Sequence, residues 1–289
     1  MTGCAGTSGT SGTTDNGTAM KQAQAGIDDP VLRNAAVEST KTQDYVAAAA
    51  YWGTLYDRDP DEADAAVNYS RALRQIGSVA QAISVMQRTH INNGENADVL
   101  AEYGKVLAAG GRADQAAAML NEAARLSPKD WSIHSALGVA LDQMGLYEAA
   151  RQHYNDALSL SADNPSVLTN MGLSYALSGD LDQAERTLRR AVADSRADAH
   201  ARQNLAIVLG LKGNFDEAAR LAHADLPANV ADGNIAYLRD MLSQPALWQK
   251  MREIDEPAGT SPSQDSSSRD VAPPDLVSSM PPETGLSLR

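Results

Sequence analysis

The chain is poor in the residues that usually fix a fold or carry chemistry. A single cysteine, Cys4, occurs in 289 residues, which excludes an internal disulfide and any zinc site built from cysteines. One phenylalanine and few β-branched runs, set among many alanines, argue against a sheet. No run of 18 apolar residues occurs, so the sequence contains no membrane-crossing helix. Positive charge is also scarce. Lys and Arg number 24 against 37 Asp and Glu, a formal net charge of −13, so the surface as a whole is a poor partner for nucleic acid. No Gly-rich phosphate loop, nucleophile elbow or H-E-x-x-H pair is present. The carboxylates spread along helix faces in the manner of solvated surface. No enzyme activity, cofactor or catalytic residue is expected.

What the chain does have is a period. Trp131 to Asn164 recurs in phase every 34 residues on both sides. Gly145 returns as Gly179 and Gly213 and, going back, as Gly111 and Gly77. Ala150 maps to Ala184, Ala218, Ala116 and Ala82, and Leu141 to Tyr175, Leu209, Leu107 and Leu73. Glycine makes up roughly 7% of an average chain, so four further glycines in register by accident has a probability of a few in 10⁵.

This period, with Leu137-Gly138, Leu141, Gly145, Tyr147, Ala150, Tyr154 and Ala157 in the central copy and Pro128 closing the copy before, resembles the tetratricopeptide repeat. The resemblance implies an all-α, right-handed superhelical solenoid of helix-turn-helix units. Small residues (Gly138, Ala150, Ala157) let two helix backbones approach, and Gly145 ends the first helix in a left-handed conformation. Ser70 and Ala206 replace the first-helix glycine, and His134 stands where the family often has tryptophan.

Register divides the chain into a Gly/Ser/Thr-rich flexible tether (1–28) and six copies (29–62, 63–96, 97–130, 131–164, 165–198, 199–232). A capping helix (233–255) and a disordered Pro/Ser-rich tail (256–289) follow. The first copy lacks the leucine and glycine of its first helix, and the sixth frays at Asp225 and Pro227. Asn164-Pro165 is a capping residue before a proline at the first helical position, which predicts the start of the fifth copy. The final helix carries Ile235, Leu238, Leu242, Leu247, Trp248 and Met251 at helical spacing, with a break near Pro245.

The five histidines (His90, His134, His153, His200, His223) are scattered; His134 and His153 share a copy but read as a packing position and its neighbour, so no metal site is expected. In the repeat architecture the first helices line the inside of the superhelix, and register gives their exposed positions. The sixth residue of each copy is Asn34, Asn68, Glu102, Ala136, Asn170 and Asn204; the ninth is Val37, Arg71, Lys105, Val139, Leu173 and Ile207. An amide both donates to and accepts from a peptide backbone, and in related repeat proteins an asparagine at this place clamps an extended ligand. With Arg74, the N-terminal half of this groove reads as basic; with Leu177 and Leu211, the C-terminal half reads as apolar. The expected partner is therefore a protein or peptide segment. The second residues (Pro30, Asp64, Asp98, Ser132, Ser166, His200) lack the cationic pattern that binds chaperone tails.

Met1-Thr2-Gly3-Cys4 resembles the end of a bacterial lipoprotein signal, in which the cysteine is cleaved and lipid-modified; the charged and hydrophobic regions of such a signal would lie upstream of Met1. Taken with the tether, the repeats and the terminal N-I-A-Y-L-R-D-M-L segment (Asn234–Leu242), it is similar to the TadD-type lipoproteins of tight-adherence (Flp) pilus systems. That resemblance implies a periplasmic protein held to the outer membrane through Cys4 alone, assisting a pilus secretin or another assembly subunit. A general envelope-assembly scaffold and a cytoplasmic repeat adaptor are the alternatives.

Overall fold

The computed structural model describes residues 28–243. The Cys4 tether, the predicted helical stretch beyond Ser243 with Leu247, Trp248, Met251 and the break at Pro245, and the Pro/Ser-rich tail all lie outside the described residues. Within them the chain is helical throughout: α1 (Asp29–Lys41), α2 (Tyr45–Arg58), α3 (Ala63–Gln75), α4 (Val79–Asn92), α5 (Ala97–Ala109), α6 (Ala113–Leu126), α7 (Trp131–Gln143), α8 (Tyr147–Leu160), α9 (Pro165–Leu177), α10 (Leu181–Ala193), α11 (Ala199–Leu211), α12 (Phe215–Asp225) and α13 (Ala228–Ser243). From α1 to α12 the helix starts repeat at 34-residue steps, alternating between a first and a second helix. The chain forms two compact units that meet in sequence between Arg112 and Ala113.

The N-terminal unit holds α1 to α5, each packed on the next, with α3 also against α5. The C-terminal unit holds α6 to α13, again packed in succession, with α9 touching both α7 and α11. No helix among the described residues is long and apolar enough to cross a membrane.

Alanine sets the spacing. Ala48, Ala82, Ala116, Ala150, Ala184 and Ala218 occupy one register position near the start of each second helix, and all six are fully buried; a larger side chain there would overpack the interior. The first-helix glycine acts differently from the expectation of close backbone approach. A Cβ on Gly138 would stand 2.5 Å from Cε1 of Tyr154, and one on Gly172 would stand 2.6 Å from Cγ of Leu188. These glycines make room for a large side chain of the following helix.

The turns follow one scheme. Gly145 has φ +73°, and the N–H of Leu146 donates to the Leu141 carbonyl at 2.9 Å, the closing bond of a Schellman turn. The same bond recurs after Gly77, Gly111, Gly179 and Gly213. The first copy has no glycine there, yet it makes the turn: Gln43 takes φ 60° and Asp44 N donates to the Ser39 carbonyl at 2.9 Å. At the predicted start of the fifth copy, Asn164 Oδ1 accepts from the N–H groups of Ser166 and Val167, with Pro165 as the first helical residue.

The last helix begins earlier than the register implied. α13 starts at Ala228 rather than 233, inside the predicted sixth copy. The cause is Pro227: it cannot continue α12, but its carbonyl accepts from Val230 and Ala231 at 2.9 and 3.0 Å, so it opens the next helix. Ala231, Ile235 and Leu238 of α13 are buried, and Leu238 fills the space left by Gly210 of α11.

Candidate partner-binding faces

In the N-terminal unit the predicted row starts in solvent. Asn34 is exposed and Val37 is partly so. Asn68 is half-buried; its amide donates to the Asp64 carbonyl and carboxylate, both at 2.9 Å, and it accepts from Arg71 at 3.3 Å. Arg33 of α1 reaches Asp64 of α3 at 2.7 Å.

The basic half of the groove needs correction. Glu102 is only 1% exposed and receives Arg74 Nε at 3.1 Å and Nη2 at 3.4 Å, while Arg71 Nε lies 3.9 Å away. Two of the three cations expected to attract a ligand are therefore turned toward a buried carboxylate of the neighbouring first helix. The third, Lys105, is half-buried. Glu102, which interrupted the asparagine row in sequence, is the residue that joins α3 to α5.

In the C-terminal unit the expected exposure also fails at three positions. Asn170 and Asn204 are 4% and 5% exposed. Asn170 Nδ2 donates to Ser135 Oγ of α7 at 3.2 Å, a side-chain bridge between successive first helices. Val139 is buried beside Tyr154, Ala157 and Val167. Leu173 and Leu177 on α9, with Ile207 and Leu211 on α11, remain half-buried, and Ala136 of α7 does too. These four apolar side chains lie on two first helices that pack together.

One polar cluster was not anticipated. Asp142 of α7, 8% exposed, accepts from Tyr154 Oη at 2.7 Å and from Ser174 Oγ at 2.7 Å. Burial pushes its pKa up to about 6, against the hydrogen bonds from Ser174 and Tyr154 and the nearby Arg151 charge, which pull it down. Burial, and secondarily the Asp142 charge, raises Tyr154 well above the ordinary phenol value. Arg151 donates to Ser178 Oγ at 3.1 Å, and its guanidinium lies 4.8 Å from the centre of the Tyr175 ring. The signal was in the register: Asp142 aligns with Ala108, Ala176 and Gly210 in three other copies, and Arg151 with Ala49, Ala117 and Ala219. Charged residues in columns that are mostly small and apolar marked the cluster.

The same comparison of columns applies to two histidines. His134 of α7 and His153 of α8 stack with ring centres 6.1 Å apart. Burial lowers the pKa of His153, as the His134 charge also does, while Asp156 acts in the opposite direction.

Repeated helix hairpins with small residues at their contacts, and a strip of partly open apolar side chains on the first helices, define a repeat protein of the interaction type. A family model described as Tetratricopeptide repeat matches residues 41–96 and 103–165, and a second with the same description matches 143–202. Together they span more than half of the chain, which belongs to the tetratricopeptide repeat family. Among solved structures, a thermophilic TPR protein of Thermus thermophilus is 19% identical with a TM-score of 0.57, over 63% of this chain and 99% of that one. MamA AMB-1 is 24% identical (TM-score 0.46; 56% and 95% covered), and MamA 41-end from Desulfovibrio magneticus RS-1 is 16% identical (TM-score 0.47; 57% and 93% covered). At these identities the likeness to the Thermus protein concerns the fold alone. Comparison with curated proteins gave no match.

Proposed function

We propose that the chain is a non-enzymatic scaffold that holds an extended or helical segment of a partner protein against its first helices, and that it does so as an envelope lipoprotein of a tight-adherence (Flp) pilus system. Tetratricopeptide repeats generally serve as protein-interaction scaffolds, so the coarse role follows from the family. The observation that carries the binding role is the strip Leu173, Leu177, Ile207 and Leu211, apolar side chains left half-open on adjacent first helices of a well-packed unit. Asn170, buried, bridges α7 and α9 through Ser135 rather than clamping the ligand directly, and Asn204 is buried as well. The exposed Asn34 and half-buried Asn68 are the asparagines that remain for ligand contact.

The finer role rests on Cys4 with Gly3 before it and a small-residue tether after it, and on the Asn234–Leu242 segment. In this reading Cys4 is lipidated, the repeats stand in the periplasm at the outer membrane, and the partner is a secretin or another assembly subunit. Mass spectrometry of the N-terminus of protein isolated from its own membranes tests it. A diacylated Cys4 as the first residue supports the lipoprotein role. An unmodified chain beginning at Met1 in the soluble fraction overturns it and leaves a cytoplasmic adaptor. Photo-crosslinking from position 177 to the pilus secretin in cells then tests the partner.

A further inference from the structure

We propose that the fourth copy holds a divalent transition-metal site of the zinc class, built from His134, His153 and Asp156. One ligand atom from each of the three side chains lies within 4.8 Å of those from the other two. His134 comes from α7, whereas His153 and Asp156 are three residues apart on one face of α8, with His153 Nδ1 at 3.9 Å from Asp156 Oδ2. Two imidazoles and one carboxylate form a donor set suited to such an ion, with a position left for water or a fourth ligand.

Proximity alone would not carry the proposal; the state of the ring nitrogens does. His134 Nε2 stands 3.0 Å from the Pro128 carbonyl. A carbonyl only accepts, so Nε2 carries the proton and Nδ1 of the neutral ring is a bare lone pair. An outer hydrogen bond of this kind, from imidazole to backbone carbonyl, orients histidines that ligate metals. The Nδ1 atoms of both His134 and His153 are buried and make no hydrogen bond. Buried polar nitrogens left without partners are uncommon, and two on rings stacked 6.1 Å apart call for a ligand that satisfies both.

The register adds an independent argument. At the position of His134 the other copies have Leu32, Ala66, Leu100, Leu168 and Arg202; at that of His153 they have Tyr51, Val85, Met119, Thr187 and Leu221. No other copy has imidazole in either column, and here both columns change together, at side chains that meet. Zinc requires ligand atoms about 3.4 Å apart in tetrahedral geometry. Side-chain rotation closes the remaining distance, since Asp156 is exposed and its carboxylate is unconfined.

The test is calorimetric titration of ZnCl2 into the full chain, stripped of metal and without a histidine tag, compared with His134→Leu and Asp156→Asn. The wild type should bind one zinc per chain. Each variant should bind it at least about 10-fold more weakly, because removing even an outer-shell partner of a metal ligand costs that much. The metal-free melting temperature of His134→Leu should stay level or rise, since leucine is the resident of that column in three copies. Absence of zinc binding by the wild type overturns the proposal, and so does an isotherm that both variants leave unchanged. Should His134→Leu fail to fold, Asp156→Asn, at an exposed position, decides the matter alone.

Discussion

Arg74 and Asp142 occupy the same place in the repeat, one in each unit, and both connect a first helix to the next one in sequence. Arg74 does so with an ion pair. Its partner, Glu102, is buried, but the arginine itself remains 16% exposed and shares the carboxylate with Arg71. Asp142 does so with the Ser174 hydroxyl of α9, and also accepts from Tyr154 of α8 in its own copy. Held mainly by neutral donors in a buried site, the Asp142 carboxyl has its pKa raised. One position thus supports an ion pair in the N-terminal unit and a protonation-dependent hydrogen-bond link in the C-terminal unit.

The largest effect should come from breaking the first link on its exposed side. Arg74→Ala leaves Glu102 buried with only Arg71 near it and should destabilise the chain by about 3 kcal/mol or more, the loss expected for an orphaned buried charge. Glu102→Ala should cost less, because the freed Arg74 can turn to water. Urea denaturation followed by circular dichroism measures both; equal losses would contradict the asymmetry.

For Asp142, the pKa of about 6 lies above the ordinary 3.8, so the folded state binds the proton more tightly than the unfolded one. The stability this adds is fully present below about pH 4 and is lost as pH rises through about 6. A shift of about two units corresponds to about 3 kcal/mol. Asp142→Asn removes this dependence, so the variant should gain on the wild type between pH 4 and 6.5. A stability difference constant over that range would show that Asp142 titrates normally.

Smaller effects separate the two kinds of glycine. Gly138→Ala drives a methyl into the buried Tyr154 ring and should cost about 2–3 kcal/mol by overpacking. Gly145→Ala meets no atom within 4 Å, so only the left-handed backbone penalty of about 1–2 kcal/mol applies. The first copy offers the reverse experiment. Gln43 already bears that penalty at φ 60°, so Gln43→Gly should raise stability by about 1 kcal/mol. Thermal melts order the three. A Gly138→Ala loss below that of Gly145→Ala would mean that Tyr154 can move aside.

The repeat, the helix boundaries and the turns were legible because each rests on a residue type that recurs at fixed spacing: glycine at the left-handed turn, alanine at the helix contact, Asn164-Pro165 at a helix start. The start of α13 is not legible in the register, where Pro227 marks the frayed end of the sixth copy; a proline that ends one helix also opens the next. The candidate faces were half legible. Register placed Leu173, Leu177, Ile207 and Leu211 correctly on the first helices, but it assigned exposure to Val139, Asn170 and Asn204, which are buried. A side chain's exposure depends on what stands across from it on another helix, which one repeat taken alone does not contain.

By itself, the sequence determined the class of fold, the 34-residue frame and the residues at which the backbone must turn, because these follow from local conformational preference and from side-chain size repeated in register. Tertiary packing alone decided that Arg74 turns toward Glu102, that Asp142 is held by Tyr154 and Ser174, and that His134 and His153 face each other. Each of these is a departure from the repeat. What such a residue does depends on the distance to a particular partner and on the exclusion of water around both, and neither quantity exists until the helices have packed.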